Sequence, residues 1–151
     1  SLPSKLGFLS QLHFLDLSQN KLTGPLPVET VSLTSLRELD MSNNMLKGPI
    51  PSEIALATSL EVLNLSSNEL TGTIPYLLAN LVPMDLPNTF SGLRIVVFRG
   101  TNLSGTIPEG LCPLAINRSC TYYSYTEYKD VPCAVEFDCS NLLCGCDCKC
   151  D

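Results

Sequence analysis

Apolar positions along this chain recur at a fixed spacing. Leu12, Leu15, Leu17 and Leu22 return as Leu36, Leu39, Met41 and Leu46, and again as Leu60, Leu63, Leu65 and Leu70, a step of 24 residues each time (12 to 36, 36 to 60). Inside each copy an apolar–polar–apolar triplet, as in Leu39-Asp40-Met41, has the period of a short strand with one face turned inward. An Asn follows at Asn20, Asn44 and Asn68, then a Gly at Gly24, Gly48 and Gly72, then Leu26-Pro27, Ile50-Pro51 and Ile74-Pro75. Such self-similarity marks a stacked array, in which one unit cannot bury its apolar face without the next. Each inward side chain covered in this way contributes roughly 1.5–3 kcal/mol.

The invariant positions have distinct physical roles. An inward Asn can satisfy the backbone groups of the turn after the strand, which would otherwise be buried without partners. The Gly suits close approach or positive φ. The Ile/Leu-Pro pair sends the chain along the outer side, where the missing Pro donor does little harm. A fourth copy, Leu93, Val96, Phe98, Leu103, Gly105 and Ile107-Pro108, falls into register if the step is 33 (60 to 93), which places a nine-residue insertion within about 82–92. Thr101 stands there at the Asn position. Stepping back 24 from Leu26-Pro27 lands on Leu2-Pro3, so the chain is expected to begin inside a repeat and to continue upstream. Leu111 and Leu114 extend the pattern; Asn117 stands where the next Leu is due, and the array is expected to stop. The division expected is a solenoid over 1–116 and a cysteine-rich C-terminal cap over 117–151.

A unit of the form L-x-x-L-x-L-x-x-N-x-L-x-G-x-I-P resembles the plant-type leucine-rich repeat. Receptor-like kinases, receptor-like proteins and polygalacturonase-inhibiting proteins carry that subtype. The resemblance covers 1–114, with five Ile/Leu-Pro marks in register. It implies an α/β-type repeat solenoid, a right-handed superhelix with a concave parallel β-sheet, closed here by a small disulfide-rich cap. It also implies partner recognition on the solenoid surface. The last stretch loosely resembles the cysteine-dense tails of some diatom-like algal repeat proteins, on cysteine spacing alone.

Composition narrows the setting. Nine basic against fifteen acidic residues in a chain of 151 leave a net charge of −6. That argues against nucleic acid as a partner, which needs a basic footprint to displace phosphate counterions. No apolar run approaches the roughly 20 residues that span a bilayer, so no membrane insertion is expected within this segment. All eight cysteines, Cys112, Cys120, Cys133, Cys139, Cys144, Cys146, Cys148 and Cys150, lie between residues 112 and 150. An even number gathered in one terminal segment suggests disulfides and an oxidising compartment. Neighbours in a Cys-x-Cys pair strain a mutual bond, so the tail sulfurs are expected to reach back to the earlier cysteines. Alternating thiolates could instead gather a soft metal, although no Cys-x-x-Cys pair of a zinc ribbon occurs. Three Asn-x-Ser sequons, at Asn64, Asn102 and Asn117, agree with an extracellular or cell-surface location.

Catalytic signals are sparse. His13 is the only histidine, and no nucleophile elbow, phosphate loop or His-based metal motif occurs. No cofactor is expected. Asp16 and Asp40 align in adjacent repeats, but a Leu-Asp-Leu triplet reads as ordinary repeat sequence with a solvated middle residue. The outward strand positions form columns that serve as the candidate binding face. One holds Phe14, Glu38, Val62 and Ile95, the next Asp16, Asp40, Asn64 and Val97, and a third Ser18, Ser42, Ser66 and Arg99. His13, Arg37, Glu61 and Arg94 run along the edge. Towards the C-terminal repeats the face becomes apolar and is framed by Arg94 and Arg99, which suits an anchor for a peptide or protein loop. The function expected is extracellular, non-catalytic recognition of a protein, peptide or glycan. A structural or adhesive surface protein and a thiolate metal-binding tail are the alternatives.

Overall fold

The computed structural model describes residues 4–82, 92–111, 134–136 and 142–143. The insertion core (83–91), all eight cysteines from Cys112 to Cys150, the Asn117 sequon and most of the expected cap lie outside the described residues.

Each repeat folds as one coil. The alternating triplets become three-residue strands, β1 (Phe14–Asp16), β3 (Glu38–Asp40), β5 (Val62–Asn64) and β7 (Ile95–Val97). They pair in parallel with Phe14 opposite Glu38, Glu38 opposite Val62 and Val62 opposite Ile95. The sequence columns are therefore true columns across the sheet, at steps of 24, 24 and then 33 (62 to 95). A fifth strand, β10 (Ala134–Glu136), joins the free side of β7.

A second parallel sheet lies after the Asn turn, and the triplet pattern gave no sign of it. It orders β2 (Thr23–Gly24), β4 (Met45–Gly48), β6 (Glu69–Gly72) and β8 (Asn102–Leu103). Thr23 faces Met45 and Lys47 faces Glu69, steps of 22 (23 to 45, 47 to 69), and Thr71 faces Asn102, a step of 31 (71 to 102). Each is two residues shorter than the step of the first sheet. β9 (Gly105–Thr106) pairs with β11 (Leu142–Leu143).

After each Ile/Leu-Pro pair the outer side is formed by short 3₁₀ helices: η2 (Val28–Ser32), η3 (Ser52–Leu56), η4 (Tyr76–Leu81) and η5 (Glu109–Leu111), with η1 (Ser4–Phe8) before the first strand. Pro27, Pro51 and Pro75 stand at the N-caps with φ of −69°, −67° and −60°, where a fixed φ helps. The helices are one or two turns long because the coil must return to the sheet within 24 residues. The core runs between the sheet and these helices. Leu36, Leu39, Met41 and Leu46 are fully buried, as are Leu60, Leu63, Leu65 and Leu70. Their counterparts in the first described coil, Leu12, Leu15, Leu17 and Leu22, are only partly buried.

Candidate functional site

The outward columns are held by a repeated turn chemistry. Asn44 Nδ2 donates to the carbonyl oxygens of Leu17 (2.9 Å), Met41 (3.1 Å) and Ser42 (3.1 Å), while its Oδ1 accepts from the Leu22 N–H (2.9 Å). Asn68 repeats this one coil on, with Met41, Leu65 and Ser66 as acceptors and Leu46 N–H as donor. One amide thus closes its own turn and ties it to the coil before. Asn20 bonds only within its own turn, to Leu17 and Ser18 carbonyls, and is exposed. Thr101 keeps a single bond of the set, its hydroxyl donating to the Phe98 carbonyl at 2.7 Å. The residue just before this position is left-handed in every coil: Gln19, Asn43, Ser67 and Gly100 have φ of 53°, 54°, 52° and 66°. Sequence reasoning missed that position because four residue types fill it; the polar or Gly character they share was the available signal.

Above these turns the second column is cross-linked. Asp16 Oδ1 and Asp40 Oδ1 each accept the backbone N–H two residues on, both at 2.8 Å, and Asn64 Oδ1 accepts the Ser66 N–H (3.1 Å) and hydroxyl (2.7 Å). Asn64 Nδ2 donates to Asp40 Oδ2 at 2.9 Å. Asp40 is 3% exposed, so the expectation of a solvated carboxylate holds for Asp16 and not for Asp40. Both Asp40 oxygens are used inside the sheet, which is what makes a buried carboxylate tolerable. The Asn64 amide, a sequon residue, is half-buried and engaged in the same network.

Along the edge, Glu61 sits between two guanidinium groups, 3.4 Å from Arg37 and 2.8 Å from Arg94. Arg94 Nε is buried and has no hydrogen-bond partner. Alternating signs at 37, 61 and 94, at the repeat spacing, were the signal for this triad. Burial raises the Glu38 carboxyl above its ordinary value of 4.5; the Glu61 carboxylate pushes the same way and Arg94 opposes it. His13 lies beside Phe14, their ring centroids 6.5 Å apart.

The apolar patch expected on this face is arranged differently from its sequence outline. Val62 and Ile95 are 2% and 8% exposed, so their side chains are spent on packing, while Val97 is half-exposed and Phe14 is 60% exposed. The groups open to solvent are Phe14, Asp16, Arg37 and Arg99, with Glu38, Asn64, Arg94, Ser18 and Ser66 half-open between them. Asn102, the other described sequon residue, is exposed in β8 on the second sheet and away from these columns. Among the described residues no three His, Cys, Asp or Glu side chains come together around a possible metal, and no helix is long and apolar enough to cross a membrane.

Comparison with known proteins agrees with this geometry. The Leucine Rich Repeat profile matches residues 11–33, 35–56 and 59–81. No curated protein gave a match. Among solved structures, the BIR3–SERK2 complex from Arabidopsis thaliana is 38% identical, covering 74% of this chain and 55% of that one, with a TM-score of 0.65. The Arabidopsis receptor kinase HAESA, in complex with the peptide hormone IDA and the co-receptor SERK1, is 33% identical over 72% of this chain and 17% of that one, with a TM-score of 0.63. A plant ice-binding protein is 33% identical over 75% of this chain and 34% of that one, with a TM-score of 0.65. The chain therefore spans about half, or less, of the structures it matches. Its matched repeats, the register of its strands and these similarities together show that it belongs to the leucine-rich-repeat proteins of plant type.

Proposed function

We propose that the chain is a non-catalytic, extracellular recognition module whose first sheet binds an extended peptide or a protein segment. The observation that carries this reading is the contrast across that sheet. A floor of hydrogen-bonded Asp40, Asn64 and Ser66 fixes the columns, and around it stand exposed groups of mixed chemistry, Phe14, Asp16, Arg37 and Arg99. An aromatic ring and guanidinium groups on a rigid base are the residues that dominate interface energetics. The similarity to a receptor kinase solved with a peptide hormone supports a peptide over a glycan. The extracellular reading rests on the cysteines of the tail, taken as a disulfide-bonded cap, and on the three sequons.

The second sheet is a weaker candidate for a planar ligand such as ice. Thr71, Thr73, Ser104 and Thr106 are exposed there, but the adjoining coil presents Met45 and the Lys47–Glu69 ion pair (3.1 Å), which break any periodic row of hydroxyls. To test the main reading, a displayed library of random peptides is selected on the whole chain, and the selected peptides are titrated against Phe14→Ala and Arg37→Glu. Loss of affinity of about tenfold or more in each variant is the expected result, the size of an ordinary interface anchor. Unchanged affinity in both variants would remove the first sheet as the binding surface.

A further inference from the structure

Two Asn-x-Ser sequons, at Asn64 and Asn102, lie within the described residues, one on each sheet. Both follow the same alternation: Leu65 and Leu103 point into the core, 0% and 2% exposed, so the flanking Asn and Ser turn outward. On the first sheet that outward side is already occupied. Asn64 Nδ2 donates to Asp40 Oδ2 at 2.9 Å, and Asn64 Oδ1 accepts both the Ser66 N–H and the Ser66 hydroxyl. The strand is flanked on both sides, by β3 and by β7. The Asp40 carboxylate alongside is 3% exposed and takes its Oδ2 hydrogen bond from this amide. A substituent on Asn64 Nδ2 replaces one of its two hydrogens next to that buried charge, where a lost donor is costly.

On the second sheet the same side is open. Asn102 and Ser104 are exposed, and among the described residues no hydrogen bond holds the Asn102 amide. Asn102 stands in the repeat column of Met45 and Glu69 (45 to 69, 69 to 102), both exposed, and its strand partner Thr71 is exposed too. A group added there displaces no packing and breaks no bond.

We infer that Asn102 is an N-glycan attachment site, that Asn64 is not, and that the sugar covers the second sheet and leaves the first as the open face. This rests on the extracellular reading of the chain. The co-reactant is an oligosaccharide activated as a diphosphate. The bond from Asn102 Nδ2 to the anomeric carbon forms as the bond from that carbon to the diphosphate oxygen breaks; Nδ2 gives up one proton, and the diphosphate departs with the electron pair. Neighbouring strands lie about 4.8 Å apart, so β6 and β4 are about 5 and 10 Å from β8, within reach of the first sugars. The exposed hydroxyls of Thr71, Thr73 and Ser104 then lie under a bulky, hydrated group, which keeps a planar ligand off that face.

The whole chain, secreted from eukaryotic cells behind a supplied leader, tests this. Enzymatic release of the sugars in heavy-oxygen water leaves a labelled Asp at each occupied Asn. Label at Asn102 with Asn64 unlabelled is expected. Asn102 bare, or Asn64 occupied to the same extent, would overturn the assignment, and neither result touches the extracellular reading, because the leader is supplied. That reading fails separately, if the chain taken from its own cells carries no sugar while the secreted one does. For the covering of the sheet, mild periodate turns the sugar diols into aldehydes, and reduction fixes them to lysine amines within reach. Cross-linking of the Asn102 glycopeptide to Lys47 on β4, with Lys5 on η1 left free, is expected. A glycan that captures Lys5 instead, or neither lysine, stands away from the sheet, and the covering would be refuted.

Discussion

Asn44 and Asn20 occupy the same place in successive repeats but have different work to do. Asn44 serves four backbone groups, two of them in the preceding coil, and is buried; Asn20 serves two in its own turn and is exposed. Removing a buried amide leaves its partners without water or substitute, at roughly 1–3 kcal/mol for each group so stranded. Asn44→Ala should therefore destabilise the chain by about 3 kcal/mol, and Asn20→Ala by less than about 1 kcal/mol, both read from urea unfolding midpoints. Equal losses would mean that the inter-coil bonds contribute nothing. The Asn role was legible in the sequence because few side chains can both donate and accept inside a turn. Burial of Asp40 was not legible, because a polar residue between two inward ones is placed outward by alternation whatever then covers it. Its donor, Asn64, lies 24 residues away and becomes a neighbour only once the register is known.

At the level of elements, strands followed from the triplets, and the prolines gave the start of each outer segment. Two features did not follow. The second sheet is invisible to alternation, since its strands are two to four residues long and β2, β4 and β6 each end on a Gly at φ of 83–89°, as in Gly48. The packing of η5 on η4 depends on a glycine without an unusual φ. A Cβ built on Gly110 would lie 2.6 Å from the Ala79 Cβ and 3.6 Å from the Ala79 carbonyl oxygen. Gly110→Ala should cost about 1–3 kcal/mol by forcing the two helices apart, and Ala79→Gly added to it should recover much of that loss. Thermal melts of the two single variants and the double variant decide it. Additive destabilisation with no recovery would show that the contact does not set the helix spacing.

For the molecule as a whole, each described coil gains its core from the coils beside it. That is why the repeat could be read at once while its two ends could not. At the C-terminal end the period changes from 24 to 33, and β10 follows at 39, so a search at constant spacing loses the pattern although the pairing continues. At the other end the leucines of the first described coil are only half-covered. Serial contact of this kind also has a mechanical consequence. A solenoid pulled from its two ends does not fail as one body; it unwinds turn by turn, starting where a turn has a neighbour on one side only. Held between a bead and a surface, this chain should lengthen in discrete jumps. The coils with a 24-residue repeat release about 80 Å each and the one with 33 residues about 110 Å, the long jump coming after the short ones. The order and size of those jumps would write the repeat lengths of the sequence into a force trace.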